Sequence, residues 1–186
     1  MSARVIAGTA KGRRLKMVPG EATRPVMDRV KEALFNILGG AVPGCRFLDL
    51  FAGTGSVGIE ALSRGAARAV FIENHAPALR TIRENLALTG LADRAQIINA
   101  DVFAYLHRPP AESFEFIYIA PPQYKDLWSR TLLALDRRPG FLFPDGVAIA
   151  QIDPKEYSAL ELEALVLYDQ RTYGRTMLCF YERPGE

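Results

Sequence analysis

Apolar positions at helical spacing mark one helix early in the chain. They recur every three or four positions between residues 30 and 38, which predicts a helix with one buried face. Thr23 fits the N-cap of this helix, Pro25 fits its first turn, and Gly39-Gly40 ends it. Before it, two short strand-like runs flank a Gly- and Lys-rich turn, so residues 4–18 are predicted to form a hairpin.

After residue 45 the pattern changes to short apolar runs that alternate with helical stretches. The predicted strands cover residues 46–51, 69–73, 95–100, 114–119, 146–152, 164–172 and 176–182. The predicted helices cover residues 56–63, 76–89 and 127–135. Successive strand–helix units predict an α/β fold with a mainly parallel sheet. The last two strands are joined by the short turn Tyr173-Gly174-Arg175, which predicts an antiparallel pair at the edge of the sheet.

The length of 186 residues and a hydrophobic content of 49% fit a single domain. We expect residues 1–22 to be a basic hairpin extension and residues 23–186 to be the core. No apolar run approaches the ~20 residues of a membrane span, and the N-terminus lacks the apolar stretch of a secretory signal. Cys45 and Cys179 have no metal-type spacing and fit reduced, buried thiols. We therefore expect a cytoplasmic, monomeric protein without membrane or metal partners.

Charge is spread unevenly along the chain although the net charge is only +2. Residues 1–31 contain eight Lys and Arg residues against two acidic ones, a local net charge of +6. Such an asymmetry fits one face that binds a polyanion. It fits an ordinary solvated N-terminus equally well.

The sharpest motif follows the first strand of the alternating series. Gly53, Gly55 and Gly58 form G-x-G-x-x-G between a strand and a helix, where glycines permit a tight turn close to a ligand. Glu73 ends the next strand, where a carboxylate can accept hydrogen bonds from ribose hydroxyls. Asp101 follows the third strand, where it can reach an adenine amine. Taken singly, these residues fit a tight turn and solvated helix caps; together they predict a nucleoside-type cofactor site.

Two features favour a methyltransferase over an NAD-dependent oxidoreductase at this site. Asp49 lies within the strand, four residues before Gly53, and methyltransferases of this fold often carry an acid there. The antiparallel final strands also resemble a methyltransferase sheet more than an NAD-binding one.

A stiff proline turn follows the fourth strand and is the candidate reaction site. Pro121 and Pro122 offer no N–H, so the carbonyl groups here are available to accept hydrogen bonds from a planar amine. Tyr124 is placed to stack on a base. The same residues also fit a proline-rich turn at the end of a strand that has no catalytic role.

Taken together, these residues resemble the RsmD-type bacterial methyltransferases, which modify the exocyclic N2 amine of one guanine in small-subunit ribosomal RNA. The similarity runs nearly end to end and is most specific in the N-terminal block. The matching segments include residues 4–8, 11–15, 23–25, 28–38, 48–61 and 173–174.

The resemblance implies a class I methyltransferase fold, a Rossmann-like sheet of seven strands with the last strand reversed. It implies S-adenosylmethionine as the cofactor and ribosomal RNA or the small ribosomal subunit as the partner. The implied cofactor contacts are Asp49, Phe51, Gly53, Gly55, Gly58, Glu73, Asp101 and Arg24. The implied RNA contacts are Arg13, Arg14, Lys16 and Arg29. The implied catalytic residues are Ala120, Pro121, Pro122 and Tyr124.

The reaction turn departs from the family pattern at its first residue. The family usually has Asp or Asn before the two prolines and an aromatic directly after them, whereas this chain has Ala120 and then Gln123 before Tyr124. Catalysis would rest on the main-chain carbonyls of Ala120 and Pro121, with Gln123 assisting. Losing one acceptor costs about 1–3 kcal/mol of transition-state stabilisation. A methyltransferase for DNA or protein, and a protein that binds cofactor and RNA without turnover, therefore remain as alternatives.

Overall fold

Seven strands form one sheet in the computed structural model, which describes residues 3–20 and 28–185. The strands are β1 (Arg46–Leu50), β2 (Arg68–Glu73), β3 (Ala95–Asn99), β4 (Phe114–Ile119), β5 (Leu142–Ile152), β6 (Val166–Tyr173) and β7 (Thr176–Glu182). Their order is β3-β2-β1-β4-β5-β7-β6. Neighbouring strands are parallel except at β7, which is antiparallel to both β5 and β6. The predicted α/β sheet with a reversed last strand is confirmed.

Helices cover both faces of this sheet. They are α1 (Asp28–Leu38), α2 (Ser56–Ser63), α3 (Ala76–Thr89), α4 (Val102–His107) and α5 (Leu127–Arg137). Helices α1, α2 and α3 pack on one face together with the N-terminal segment, and α4 and α5 pack on the other. Because the central parallel strands are covered on both sides, they read as nearly continuous apolar runs.

Helix α4 is an element that the sequence pattern did not predict. It has six residues, of which Val102 and Leu106 are buried. Two apolar positions four apart are too few to show a helical period. The signal that was present is Asp101, whose carboxylate accepts a hydrogen bond from the backbone N–H of Ala104 at 3.0 Å and so caps the helix.

The predicted hairpin is present only in part. One antiparallel bridge joins Arg4 to Arg14, and no regular strand forms within residues 3–20. The two arms do pair through backbone hydrogen bonds, from the Val5 N–H to the Arg13 carbonyl and from the Leu15 N–H to the Ala3 carbonyl. Regular strands do not form because other N–H groups of the segment donate to α2. The backbone N–H groups of Ile6 and Ala7 donate to the Glu60 carboxylate, and that of Thr9 donates to the Ser63 carbonyl.

Other boundaries differ by a few residues at most. Strand β5 begins at Leu142 rather than at Gly146, and α5 extends to Arg137. The apolar face predicted for the early helix is found in α1, where Val30, Leu34 and Leu38 are buried. Thr23 and Pro25, the predicted start of that helix, lie outside the described residues.

A buried ion pair ties the N-terminal segment to this core. The Lys31 ammonium lies 3.2 Å from the Glu60 carboxylate, and both side chains are fully buried. Lys31 also donates to the Arg4 carbonyl and to the Ser56 hydroxyl. Burial lowers the pKa of Lys31, and the Glu60 carboxylate opposes that effect. Lys31, one of the eight basic residues within residues 1–31, is therefore not available to an outside polyanion.

Glu60→Gln should destabilise the protein by about 3–5 kcal/mol, because it leaves the Lys31 ammonium buried without a countercharge. Lys31→Met should cost less, since Glu60 keeps Arg64 at 2.8 Å and two backbone N–H donors. Urea unfolding at neutral pH measures both free energies. The control is Glu84→Gln, which disrupts the exposed pair with Lys16 and should change stability by no more than ~1 kcal/mol. An effect of Glu60→Gln as small as that of the control would contradict this account.

Candidate active site

Strand order brings the predicted site residues to one edge of the sheet. β1 pairs with β2 on one side and with β4 on the other. The segments that follow these parallel strands therefore leave the same edge next to one another. The glycine loop after β1, Glu73 at the end of β2 and the proline turn after β4 are neighbours for this reason. Open α/β sheets bind ligands at this edge.

Glycine is required at two positions of the loop for different reasons. Gly55 precedes α2 with φ of 80°, a left-handed conformation that side chains disfavour. Gly58 lies inside α2, where an added Cβ would meet the Phe71 ring at 2.4 Å and the Asp49 carboxylate at 3.2 Å. The helix can therefore pack this closely on β2 only without a side chain at position 58.

Asp49 is a buried carboxylate directly beneath the loop. Its side chain accepts a hydrogen bond from the Gly58 N–H at 3.0 Å, and the residue is only 2% exposed. Burial raises the pKa of Asp49 well above its usual range, and the Gly58 hydrogen bond opposes that rise. Its second oxygen accepts no hydrogen bond from residues 3–20 or 28–185. A cationic ligand group at this edge would find an acceptor there.

Glu73 accepts hydrogen bonds from the glycine loop and also lies at the edge of the sheet where the candidate site is. One carboxylate oxygen accepts the Gly53 N–H at 2.8 Å, and the other accepts the N–H groups of Asn74 and His75. A carboxylate offers about four acceptor sites, so only about one remains for a ribose hydroxyl. Asp101 likewise has a structural bond, to Ala104, and is exposed.

Phe51 lies at the start of the glycine loop, directly after β1. It has φ of 57°, unusual for a residue with a side chain. Its ring meets that of Phe103 on α4 edge-on, with centroids 6.5 Å apart. The glycine loop therefore contacts α4 through Phe51, in addition to leading directly into α2.

Side chains from a distant turn hold the proline segment. The Tyr124 N–H donates to the Glu156 carboxylate at 2.6 Å, and the Tyr124 hydroxyl donates to Asp153 at 2.6 Å. Asp153 and Glu156 also cap the short turn Pro154–Glu156 after β5. Tyr124 has φ of 61° and is 63% exposed, so its ring is presented to solvent by fixed polar contacts. The hydrogen bond raises the pKa of Tyr124 and lowers that of Asp153.

Sequence reasoning missed several residues that support the site. Asp153 and Glu156 had a detectable signal, since Asp-Pro-Lys-Glu fits a capping box. Asn85 on α3 is fully buried and donates to the carbonyls of Lys16 and Thr54, which joins the N-terminal segment to the glycine loop. No local pattern marks Asn85, because its partners are far away in sequence.

A buried polar pair also lies beside Asp49. Tyr118 is opposite Asp49 in the β1–β4 register, and its hydroxyl donates to the Gln151 side chain on β5. Burial, together with the Asp49 charge, raises the pKa of Tyr118. Tyr118 therefore stays neutral and remains a hydrogen-bond donor. Because Tyr118 lies within an apolar strand, the sequence pattern alone did not indicate a role for it.

The predicted RNA contacts are all exposed, but they differ in whether a carboxylate of the protein pairs with them. Arg13 and Arg14 are exposed, and their side chains make no ion pair within the described ranges. Lys16 lies 3.1 Å from Glu84 in an exposed pair. Arg29 is exposed on α1. Arg24, a predicted cofactor contact, lies outside the described residues.

Comparison with known proteins places the chain in a family. The family model described as "Conserved hypothetical protein 95" matches residues 3–182. Ribosomal RNA small subunit methyltransferase D of Escherichia coli K12 is 35% identical over 98% of this chain and 91% of its own. The chain belongs to the RsmD family. A Bacillus subtilis relative, provisionally named rRNA methyltransferase YlbH, is 39% identical over 98% of this chain and all of its own length.

A solved structure agrees with the RsmD fold over the whole chain. The protein yhhF of Escherichia coli, described provisionally as a methyltransferase, superposes with a TM-score of 0.88. The two are 28% identical, and the match covers 100% of both chains. The class I methyltransferase fold is therefore confirmed.

The described residues show neither a metal-type cluster nor a membrane-spanning helix. Residues 3–20 and 28–185 hold no group of three or more His, Cys, Asp or Glu side chains placed to bind a metal ion. The same residues contain no helix with the length and apolar character needed to cross a bilayer.

Gly58→Ala should cost about 1–3 kcal/mol and weaken cofactor binding, because its methyl group would overlap the Phe71 ring. Phe71→Leu in the same chain should recover part of that loss by making room. Urea unfolding of the two single variants and the double variant measures the coupling. Gly40→Ala is the matched control, since nothing lies within 4 Å of its added Cβ. Strict additivity of the two site changes would show that the Phe71 contact does not set the requirement for glycine.

Proposed function

We propose that the chain is an S-adenosylmethionine-dependent methyltransferase that modifies the exocyclic N2 amine of a guanine in small-subunit ribosomal RNA. The observation that carries the proposal is the adjacency of two segments. The glycine loop after β1 and the proline turn after β4 leave paired parallel strands at the same edge. A methyl donor in the loop and an amine at the turn would thus be neighbours.

The residues of the loop fit S-adenosylmethionine. Gly55 permits the left-handed turn of the loop, and Gly58 lets α2 pack closely on β2 behind it. Asp49 keeps one carboxylate oxygen for a cation, and this cofactor carries an ammonium and a sulfonium. Glu73 keeps acceptor capacity for a ribose hydroxyl, and Asp101 lies at the next strand end. When bound, the cofactor supplies a methyl group already activated by its sulfonium, so no covalent enzyme intermediate is needed.

The proline turn fits a planar amine. The carbonyls of Ala120 and Pro121 are acceptors that the prolines hold in a stiff segment. An amine that donates to them is oriented with its nitrogen toward the loop, which contributes proximity and orientation to the transfer. Tyr124 offers an exposed ring for base stacking. The target base must leave its stack to reach this edge.

Small-subunit ribosomal RNA is the substrate that the family relationship favours. The Escherichia coli relative is named for the small ribosomal subunit, and the Bacillus subtilis relative for rRNA. The free cations of Arg13 and Arg14 support contact with phosphates. Ala120 in place of Asp or Asn favours a second candidate, a protein that binds cofactor and RNA without turnover.

The purified protein should transfer labelled methyl from S-adenosylmethionine to small-subunit RNA or to partly assembled subunits, and mass spectrometry should identify N2-methylguanosine at one site. This result follows if main-chain acceptors at the turn are sufficient. Large-subunit RNA is the control substrate and should remain unlabelled. Binding of cofactor and RNA without any transfer would support the non-catalytic candidate instead. A methylated base other than N2-methylguanosine would overturn the assigned target.

Tyr124→Ala should lower kcat/KM for RNA by roughly tenfold to a hundredfold, because one stacked base contributes about 1–3 kcal/mol. Tyr124→Phe should retain most activity, since the ring remains and only the hydrogen bond to Asp153 is lost. Steady-state kinetics with the RNA substrate measure both. Tyr168→Ala is the control, because Tyr168 is 50% exposed on the edge strand β6. Equal losses for Tyr124→Phe and Tyr124→Ala would mean that the hydroxyl matters rather than the ring.

A further inference from the structure

A basic groove lies between α4 and α5, on the face of the sheet opposite the N-terminal segment. Its volume is about 370 Å³. The lining residues are Phe103, Leu106, His107, Arg130, Leu133, Ala134, Arg137 and Arg138. Three of them are arginines and none is acidic. The floor is apolar and the rim is cationic.

Two arginines of this groove are unpaired within the described residues, as Arg13 and Arg14 are, whereas several other arginines have partners. Arg64 and Arg68 pair with carboxylates, and Arg94 donates to main-chain carbonyls. By contrast, the guanidinium groups of Arg137 and Arg138 make no ion pair or hydrogen bond with the described part of the chain. Their charge is available to an outside anion.

Arg130 shows a second feature of the groove. Its guanidinium lies over the Phe103 ring, 4.2 Å from the centroid. An arginine stacked on an aromatic ring offers a flat cationic surface of the kind on which unpaired bases stack. The groove therefore combines unpaired charge with a stacking surface, as single-stranded nucleic-acid sites do.

One end of the groove, at Phe103, lies near the proposed active site. Phe103 contacts Phe51 of the cofactor loop, with ring centroids 6.5 Å apart. Helix α5, which contains Arg130 and Arg137 and is followed by Arg138, begins shortly after the proline turn. From Phe103 the groove runs toward the last turns of α4 and α5. An RNA strand whose base occupies the active site would therefore have this groove beside it.

Helix dipoles do not account for all of this charge. A cation in the last turn complements the partial negative charge of a helix C-terminus, which explains His107 on α4 and Arg137 on α5. It does not explain Arg130 in the first turn of α5, where a cation is opposed by the helix dipole.

We propose that this groove binds the phosphate backbone of the RNA substrate, as a second contact surface distinct from the N-terminal segment. The inference rests on the proposed function, because it assumes an RNA substrate. Arg137 and Arg138 contact phosphates, and Arg130 with Phe103 supports a neighbouring base. The RNA is then held on both faces of the sheet, with the target base between them.

The double variant R137A/R138A tests the proposal in a binding titration with small-subunit RNA over a salt series. Loss of two phosphate contacts should weaken binding roughly tenfold at low salt and make the slope of log K against log salt shallower by about 1.5–2. R137K/R138K should restore the slope, because it restores the charge. Thermal unfolding of both variants checks that the fold is intact.

The matched control is R46A/R171A, which removes two exposed arginines that already lie near carboxylates outside the groove. It should leave the slope close to that of the wild type, whereas R13A/R14A should flatten it. If R137A/R138A matches the control while the wild type binds and methylates RNA, the groove proposal fails and the proposed function stands. If the wild type binds no RNA at any salt concentration, both fail.

Discussion

The buried carboxylate of Glu60 holds together the parts of the molecule that form the site. It receives two backbone N–H groups of the N-terminal segment, the Lys31 ammonium of α1 and the Arg64 guanidinium of its own helix. A buried ion pair adds little net stability, since desolvation offsets the attraction. Its effect is positional, because each partner can be satisfied only if all three elements are docked together.

That docking connects the N-terminal segment to the cofactor loop. Lys31 donates to Ser56, the first residue of α2 after Gly55, and Asn85 joins Lys16 to Thr54 within the loop. The segment that carries Arg13 and Arg14 is therefore bonded to the backbone of the glycine loop. Under the proposed function, RNA contact at the segment and cofactor contact at the loop would act on one connected unit rather than on separate parts.

Much of this fold could be predicted from the sequence because it depends on local period. Apolar runs and glycine stops located all seven strands, and the order of elements predicted a parallel sheet. The errors arose where tertiary contacts override local pattern. Residues 4–18 form a hairpin only in part, because Glu60 and Ser63 take the N–H groups of Ile6, Ala7 and Thr9. Lys31 looks like a surface cation, but only the folded chain reveals Glu60 beside it.

The candidate site divides in the same way. The glycine loop, Asp49 and Glu73 are contiguous with strands and were identifiable, whereas Asp153 and Glu156 act on Tyr124 from about thirty residues away. These contacts help to hold the turn in which Ala120 lies. The turn is fixed by two prolines on one side and by two carboxylates on the other, so its carbonyls keep their direction without a side chain at 120. Alanine at position 120, where the family usually has Asp or Asn, thus lacks one side-chain acceptor but leaves intact the contacts that hold the turn.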